Sequence, residues 1–469
     1  MPAPDAILAA LERDVARTLS LWRRLTAPQL LAGSFLLLIA LGTFLLLVLP
    51  GLYHGPRLSF VDALFMATSA ICVTGLAVVE VATYFTTWGQ VVYLFLVQLG
   101  GVGILTITTV LILWLGGRIT LRSEATLGTP ETGPMVDTRR LFRSILRYTV
   151  AIEAAGALAL WLAWSPEFGF RGAIWPAIFH AVTAFCNAGI TNLPGGLTPY
   201  LDDPGILSVL MVLVVLGGIG FLVLEELFGP SSRSARGLSL HAKLVLLTTA
   251  ILIALGAILF GFFEWNGALA HGAWYERIVQ ALFLSVVPRT AGFTALDYNT
   301  LTPASVFLTV LLMMVGGSPG SVAGGLKTTT MAVLVALAIA RMRGEVITRA
   351  FRRTIPEPTI QRAIGLVVLA VVFLSTAILV LEVVELRGVP HQESGDAFME
   401  IVVEAVGAFT TAGISLGITP LLTWGGKLVL AVMMYIGRVG PLTLAASMLI
   451  AARQTRARIR YASEDVIIG

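Results

Sequence analysis

Charged residues and cysteines are both scarce in this sequence. Only 12% of the 469 residues are Asp, Glu, Lys or Arg, whereas 57% are hydrophobic and the mean hydropathy is +0.89. A soluble chain of this size would need more polar side chains to cover its surface, so we expect lipid to surround most of this one. The two cysteines, Cys72 and Cys186, are too few for a disulfide framework, and neither has neighbouring ligands for zinc or an iron–sulfur cluster.

The side chains that catalysis requires are also missing. Five histidines are dispersed along the chain, no Ser/His/Asp or HExxH set is present, and the glycine runs lack the Lys-Ser/Thr of a phosphate-binding loop. We therefore expect no enzyme, no catalytic residues and no covalently bound cofactor. The first apolar stretch, residues 28–50, follows an amphipathic segment (1–27) and has no small-residue cleavage site behind it. It is typical of a first membrane span rather than a signal peptide.

The distribution of positive charge predicts the membrane topology. Of the 31 Lys and Arg residues, 23 lie in five segments, which are the residues before Pro28 and residues 118–147, 233–243, 341–362 and 453–460. The positive-inside rule makes these segments cytoplasmic, and acidic residues dominate the four segments between them. We therefore predict eight crossings of the inner (plasma) membrane, with both termini in the cytoplasm. Topology and anionic lipid headgroups explain the basic segments, so we expect no nucleic-acid partner.

Each predicted outside segment contains the same element, about a dozen mostly apolar residues that end in a small polar–glycine tetrad. The four tetrads are Cys72–Gly75, Asn187–Ile190, Thr290–Phe293 and Thr411–Ile414. Their glycines lie 114, 103 and 121 residues apart, a period that suits one membrane hairpin plus a loop. A second glycine cluster follows each tetrad glycine by 24 to 28 residues, beginning at Gly100, Gly217, Gly316 and Gly437. Two marks in nearly constant register indicate a fourfold repeat.

We predict an all-α polytopic membrane protein with four repeats around a central pore and pseudo-fourfold symmetry. Each repeat would contain an outer span (M1), a pore helix of about 20 Å that cannot cross the membrane, an extended loop and an inner span (M2). The predicted pore helices are 59–71, 173–185, 273–286 and 396–409. The predicted repeats are 28–117, 141–230, 240–343 and 360–453, followed by a cytoplasmic tail at 454–469. Irregular backbone survives at membrane depth only when it is buried in protein or lines a wet cavity, so the four loops would line a pore.

The four loops could bind a dehydrated alkali cation. A ring of backbone carbonyls is the simplest oxygen cage for such an ion, and glycine adopts the dihedral angles that turn carbonyls inward. The predicted K+ selectivity filter consists of Val73, Thr74, Gly75, Asn187, Ala188, Gly189, Thr290, Ala291, Gly292, Thr411, Ala412 and Gly413. The negative C-terminal ends of the short helices would stabilise the cation. A single Thr-Ala-Gly could equally serve a helix contact, but four in register favour a filter.

The third inner span cannot be a continuous helix, because two glycine pairs and a proline interrupt it near mid-membrane. We predict a gate there, a flexible segment below the filter that obstructs the pathway and moves aside; the alternative is a merely kinked helix. The predicted gate residues are Gly316, Gly317, Ser318, Pro319, Gly320, Ser321, Gly324, Gly325, Lys327 and Arg438. Arg438, in the fourth inner span, could repel a passing cation or could instead tie the loop down through hydrogen bonds to carbonyls.

Three further features have mainly structural interpretations. Arg289 lies three residues before Gly292, at the position that the two cysteines occupy in their own repeats. We expect Arg289 to brace the filter from behind and the cysteines to be small packing residues. The glycine clusters of the first two inner spans favour helix packing over gating.

Three motifs resemble the Trk/Ktr/HKT superfamily of potassium transporters, and the resemblance extends from about Pro28 onward. They are Arg289–Phe293 (RTAGF), the loop at 316–330 and Tyr435–Thr443 (YIGRVGPLT). The absence of a further N-terminal hairpin favours a Ktr-type membrane subunit, and glycine in all four tetrads resembles the potassium-preferring members. Pro288 departs from the pattern, in which a hydroxyl residue is expected.

The resemblance implies assembly and regulation that the residues alone do not. It implies a homodimer with one pore per protomer and a gating loop in the third repeat. It also implies a cytoplasmic ring of RCK regulatory subunits against the basic inner face, with ATP or ADP bound to that partner and not to this chain. Activation by Na+ is consistent with it, and the apolar tail at 466–469 would pack at the dimer interface.

Two other functions remain open. The main alternative is a coupled secondary transporter, a K+/Na+ or K+/H+ symporter, because broken helices at mid-membrane also build substrate sites in such proteins. Those folds normally rock inverted halves, whereas these repeats share one orientation. An intramembrane enzyme or scaffold would give no ion flux at all.

Overall fold

A computed structural model describes residues 27–114, 138–229 and 237–440. Nearly all of the predicted N-terminal segment 1–27 and the whole of the predicted tail 454–469 lie outside these ranges. So do residues 115–137, 230–236 and 441–453, which contain part of the predicted cytoplasmic segments.

Four times along the described chain, a long helix is followed by a short helix, a glycine-bearing turn and a further helical segment. In the first repeat these helices are α1 (Ala27–Val48), α2 (Phe60–Cys72), α3 (Val81–Tyr84) and α4 (Thr87–Trp114). In the second they are α5 (Thr138–Gly172), α6 (Ile174–Phe185), α7 (Pro204–Gly218) and α8 (Phe221–Phe228). In the third they are α9 (Leu240–Glu264), α10 (Trp274–Val286), α11 (Pro303–Met314) and α12 (Thr328–Met342). In the fourth they are α13 (Glu357–Glu385), α14 (His391–Ser394), α15 (Ala397–Thr410) and α16 (Trp424–Val439).

Several of these helices can cross a bilayer. In the described part of the chain, four are long and apolar enough, within α1, α5, α9 and α13, and the pair α7 and α8 would make a fifth if its 102° bend belongs to one span. Their outward faces carry exposed apolar side chains such as Leu37, Phe262 and Val372. A soluble protein rarely exposes so much apolar surface, so these faces suit lipid contact.

The four short helices agree with the predicted pore helices to within one residue at each end. The short helix of the first repeat, α2, shows why such a helix starts at a defined residue. Ser59 caps α2 by accepting a hydrogen bond from the Asp62 backbone, and the Ser59 hydroxyl donates to the Asp62 carboxylate. The far ends of all four helices are almost completely buried, so each short helix is surrounded by the longer ones.

Two acidic residues fix how the long helices of the third and fourth repeats are connected. Glu264, at the end of α9, accepts hydrogen bonds from the backbone and hydroxyl of Thr302, which caps α11. Glu385, at the end of α13, accepts the same pair from Thr423, which caps α16. Both pairs are 38 residues apart, so this is a further element of the repeat. A carboxylate that accepts two hydrogen bonds holds the helix start more strongly than a neutral acceptor would.

An ion pair joins the first repeat to the last. Lys427 of α16 donates to the Asp62 carboxylate of α2 at 2.7 Å, and both side chains are mostly covered. Burial raises the pKa of Asp62, but the hydrogen bonds from Lys427 and Ser59 outweigh burial and hold the pKa below its ordinary value. The two ends of the described chain are therefore tied together beside the short helix of the first repeat.

Two of the inner spans are interrupted in the described part of the chain. The third inner span is interrupted between Met314 and Thr328, as predicted. The second is also interrupted, between Gly218 and Phe221, and this break was not predicted. Gly220 there has φ +92°, which a residue with a Cβ rarely adopts. A two-stranded hairpin, β1 (Arg349–Ala350) with β2 (Arg353–Thr354), adds a small antiparallel sheet before α13.

Candidate ion pathway

In every repeat, the residue two positions before the tetrad glycine lies just beyond the short helix and has a positive φ angle. These residues are Val73 (φ 55°), Asn187 (φ 58°), Thr290 (φ 83°) and Thr411 (φ 54°). In repeats 1, 2 and 4 the backbone amide of this residue and the amide after it donate hydrogen bonds to carbonyls of the last helical turn. In the first repeat, Val73 donates to the Ala70 oxygen and Thr74 donates to the Ser69 oxygen. Helix ends of this kind normally use glycine, because left-handed backbone costs other residues about 1–2 kcal/mol. Strain repeated at the same position in all four repeats is typical of a functional site.

The four tetrad glycines also have positive φ, and the chain passes close to each of them. A Cβ placed on Gly75 would lie 2.5 Å from the Ala188 carbonyl oxygen of the second repeat. One on Gly292 would lie 2.6 Å from the Ala412 oxygen of the fourth repeat. Glycine is therefore required at these positions by space as well as by backbone conformation.

The same close approach runs through all four repeats in order. A Cβ on Gly189 would overlap the Ala291 oxygen of the third repeat, and one on Gly413 would overlap the Thr74 oxygen of the first. With the contacts of Gly75 and Gly292, the approaches form a closed cycle from repeat 1 to 2 to 3 to 4 and back to 1. The four turns are thus neighbours around one axis. Backbone oxygens and helix C-terminal ends supply partial negative charge there.

Side-chain support of these turns differs from repeat to repeat. The Gly75 amide donates to the Ser69 hydroxyl at 3.2 Å. The Asn187 amide nitrogen, in the orientation that satisfies its hydrogen bonds, donates to the Ala184 and Val214 carbonyls. The hydroxyls of Thr74, Thr290 and Thr411 are buried without a hydrogen-bond partner in the described part of the chain. These three hydroxyls therefore do not brace their turns through hydrogen bonds in the part of the chain that the structure describes.

The interrupted segment of the third repeat lies against the fourth repeat's turn. A Cβ on Gly324 would lie 3.0 Å from the Thr411 Cβ, and one on Gly325 would lie 3.2 Å from the Thr410 oxygen. Within the segment, the Ser318 and Thr328 hydroxyls hydrogen-bond at 2.9 Å, and Lys327 donates to the Ala323 oxygen at 2.8 Å. The predicted gate residues are thus placed together beside the ring of turns.

The broken second inner span holds the same segment from the other side. The Ser318 amide donates to the Gly218 oxygen at 2.9 Å, and the Phe221 amide donates to the Gly320 oxygen at 2.9 Å. The break at Gly220 exposes backbone groups that a continuous helix would have used internally. The 217–220 cluster therefore binds this segment in addition to packing, a role that the sequence did not indicate.

Packing alone explains the first glycine of three inner clusters. A Cβ on Gly100, Gly217 or Gly437 would overlap the carbonyl of the last residues of its own short helix, at Ile71, Phe185 and Phe409 respectively. Because the helices approach this closely, no larger residue fits without moving the short helix. The close contacts of Gly100 and Gly217 agree with the packing interpretation of their clusters.

Arg438 is buried and makes the contacts that the anchoring hypothesis requires. Its guanidinium donates to the Val322 oxygen of the interrupted segment and to the Gly100 oxygen of α4, the latter at 2.7 Å. No carboxylate pairs with it among the described residues. The guanidinium therefore both ties the segment to the first repeat and leaves a positive charge near the ring, so the two hypotheses for this residue are compatible.

Arg289 and the two cysteines, which occupy the same position in their repeats, differ in their hydrogen bonds. Arg289 lines a small cavity of about 20 Å³ with Thr249 and Gly317, and its Nε has no hydrogen-bond partner in the described chain. Arg289 directly precedes Thr290 of the third turn, and no hydrogen bond from its side chain to that turn is observed within the described ranges. Its bracing role stays a prediction. Cys72 and Cys186 are buried free thiols, as expected of packing residues, and the Cys186 Sγ donates to the Gln98 side chain at 3.2 Å.

The sequence did not identify two polar residues behind the turns, His180 of α6 and Glu404 of α15. Both are buried, and each contacts the residue two positions after a tetrad glycine, Thr191 and Ser415 respectively. The usable signal was their shared position nine residues before the glycine, which appears only once the short helices are aligned.

Four closely packed turns inside a lipid-facing helical shell define a polytopic membrane protein whose backbone can line an ion pathway. Residues 25–457 match the TrkH family, described as cation transport protein. The chain is 37% identical over 449 residues to the potassium/sodium uptake protein NtpJ of Enterococcus hirae, covering 95% of this chain and 98% of the relative. It is 36% identical over 454 residues to the Ktr system potassium uptake protein B of Bacillus subtilis, covering 96% and 98%.

A solved structure has the same fold. The potassium transporter TrkH from Vibrio parahaemolyticus gives a TM-score of 0.71 at 19% sequence identity, covering 88% of this chain and 83% of that one. The chain therefore belongs to the TrkH family of cation transport proteins, which confirms the resemblance found in the sequence.

Proposed function

We propose that this chain is the potassium-conducting membrane subunit of a Ktr-type uptake system. The observation that carries the proposal is the closed cycle of close approaches among the four tetrad glycines. K+ would pass through the ring without its water shell, bound by backbone oxygens of the twelve predicted filter residues. Relatives named for potassium uptake over nearly their whole length support K+ as the ion.

The proposed topology has eight membrane crossings in four repeats, with both termini in the cytoplasm and the short helices entering from outside. The basic segments support this orientation, since Arg341 lies in the last turn of α12 and Arg343 and Arg349 follow that helix. The ion pair of Asp62 and Lys427 would then lie at the outer face, beside the entrance to the ring.

The proposed gate is the interrupted segment between Met314 and Thr328. It is held by Arg438 from the fourth repeat and by the broken helix of the second repeat. Its direct contact with the Thr411 turn supports the proposal that it closes the pathway on one side of the ring. Opening would require release of these backbone hydrogen bonds, each worth about 0.5–1.5 kcal/mol net.

The proposed assembly is a homodimer with one pore per protomer, bound to a cytoplasmic ring of RCK subunits that carry ATP or ADP. Relatives named as components of a Ktr system support a multi-subunit assembly. Na+ is proposed as a possible activator, and one relative is named for both potassium and sodium.

The test is flux through purified protein in liposomes at an imposed voltage, with Rb+ as tracer for K+. The proposal predicts downhill Rb+ entry without a coupled ion, preferred over Na+. Entry that requires a Na+ or H+ gradient would instead establish a symporter, and absence of flux, with and without an RCK partner, would refute conduction.

A further inference from the structure

His180 and Glu404 occupy equivalent positions in alternate repeats. Each lies nine residues before its tetrad glycine, Gly189 and Gly413, on a short helix. Both side chains are almost completely buried. Burying a polar side chain costs free energy unless it is hydrogen-bonded. The hydrogen-bond partners of His180 and Glu404 therefore indicate which part of the chain each side chain positions.

In the second repeat the partner is Thr191, two residues after Gly189. The His180 Nε2 lies 2.8 Å from the Thr191 hydroxyl, and Nδ1 lies 2.8 Å from the Pro176 carbonyl oxygen. Because a carbonyl can only accept, Nδ1 carries a proton, and the neutral ring accepts from Thr191 at Nε2. The Thr191 hydroxyl in turn accepts from the Leu193 amide at 3.1 Å.

In the fourth repeat the same bonds recur with a different side chain. The Ser415 hydroxyl, two residues after Gly413, donates to the Glu404 carboxylate and accepts from the Gly417 amide at 2.8 Å. Thr419 also donates to Glu404, at 2.8 Å. In both repeats, therefore, a side chain of the short helix hydrogen-bonds the hydroxyl two residues after the tetrad glycine. That hydroxyl in turn accepts a hydrogen bond from the backbone amide four residues after the glycine.

The first and third repeats lack this arrangement. The residues nine before the glycine are Met66 and Phe283, and the residues two after it are Ala77 and Thr294. Met66, Phe283 and Ala77 have no side-chain group that can make this bond. Thr294 is exposed. The bonds are thus restricted to two repeats that are not adjacent in the cycle of turns.

We propose that His180 and Glu404 are positioning residues for two filter strands, by which we mean the residues that follow the tetrad glycines of the second and fourth repeats. By fixing these filter strands, the two residues set the preference for K+ over Na+. The inference rests on the proposed function, because it concerns the same ring of turns. Two opposite strands are held by these hydrogen bonds, whereas the strands of repeats 1 and 3 follow the turns without them. A smaller ion needs the oxygens to move inward, and strands that are held resist that movement.

The test compares His180→Phe, Thr191→Val and the double variant in Rb+ uptake by proteoliposomes, with Na+ as competitor. His180→Phe introduces the residue that the third repeat has at this position, so it removes the acceptor with little change of shape. Met66→Leu is the matched control, a volume-conserving change at the equivalent position of the first repeat. Amounts of folded protein are compared by size-exclusion chromatography and thermal unfolding.

We expect either single variant to lower the K+-over-Na+ preference about fivefold, the effect of one buried hydrogen bond. The double variant should lose no more than the singles, because both remove the same bond. In the fourth repeat, Glu404→Gln keeps an acceptor for Ser415 and should retain selectivity, whereas Glu404→Leu should lose it. This second pair decides the question if His180→Phe does not fold.

Three outcomes would overturn the inference. Selectivity of His180→Phe and Thr191→Val equal to that of Met66→Leu would show that the bond has no such role. Additive losses in the double variant, or equal losses in Glu404→Gln and Glu404→Leu, would show that general packing is responsible. Wild-type protein that conducts without preference for K+ would refute the proposed function itself, and that result is distinct from the other three.

Discussion

Replacing Gly75 by Ser tests the central ring at one defined point. Gly75 has φ +97°, and an added Cβ would lie 2.5 Å from the Ala188 carbonyl oxygen. Ordinary van der Waals contact begins at 3.4 Å, so this oxygen must move by about 0.9 Å or the Gly75 turn must rotate. Either change displaces an oxygen of the ring. We expect the K+-over-Na+ preference to fall about tenfold, equivalent to about 1.4 kcal/mol of differential binding.

The assay is Na+ competition against Rb+ uptake in proteoliposomes containing equal amounts of folded protein. Gly51→Ser is the matched control, because Gly51 has φ +71° but no atom within 4 Å of the new Cβ. It carries the same kind of backbone strain, about 1–2 kcal/mol, without crowding the ring. If the Gly75→Ser and Gly51→Ser variants have the same selectivity, the ring of turns is not the filter.

Three further predictions concern the helices and the gate. Arg438→Ala should raise basal Rb+ flux through folded protein. Arg438→Lys keeps the positive charge but loses the forked hydrogen bonds of the guanidinium. Low flux through the Arg438→Lys variant would favour the barrier role, and high flux would favour the anchoring role. Glu264→Gln weakens the charge-assisted hydrogen bonds to Thr302, so it should lower the free energy of unfolding by about 1–2 kcal/mol and lower the thermal midpoint accordingly. Ion selectivity should not change. An unchanged midpoint would contradict the anchoring of α11. Asp62→Asn should cost less than about 1 kcal/mol, because solvent still reaches both side chains of the ion pair, which are 14% and 27% exposed, and screens their attraction. Since the folded pKa of Asp62 is lowered, its contribution is present above the unfolded pKa of about 3.9 and is lost as the pH falls through the folded pKa; a wild-type midpoint that rises below pH 4 relative to Asp62→Asn would contradict this sign.

The repeat and its short helices could be predicted because they are determined by residues that are close together in the sequence. Each short helix has an apolar run of fixed length and ends at a tetrad whose glycine is required by backbone conformation and space. The interrupted third span follows from Pro319 and its neighbouring glycines, which cannot continue a helix. Such features depend on residues close together in the chain, so one sequence is enough to find them.

The rest depends on how the chain packs in the folded protein. The second inner span contains Gly220 but no proline, and its break is stabilised by bonds to the third repeat, as from Phe221 to Gly320. The left-handed conformation of Val73 is unfavourable locally and persists only because the surrounding helices fix it. Likewise, nothing near His180 in the sequence shows that it bonds Thr191 rather than packing in the core.

In the proposed function, four backbone turns replace the water shell of K+ at one axis. The most direct measurement is an experimental structure determined in Rb+, with the ion located by anomalous scattering. We predict Rb+ inside the ring, within coordination distance of carbonyl oxygens from all four turns, including those of Thr74, Ala188, Ala291 and Ala412. A ring that excludes Rb+ while the ion binds elsewhere in the protein would contradict the account.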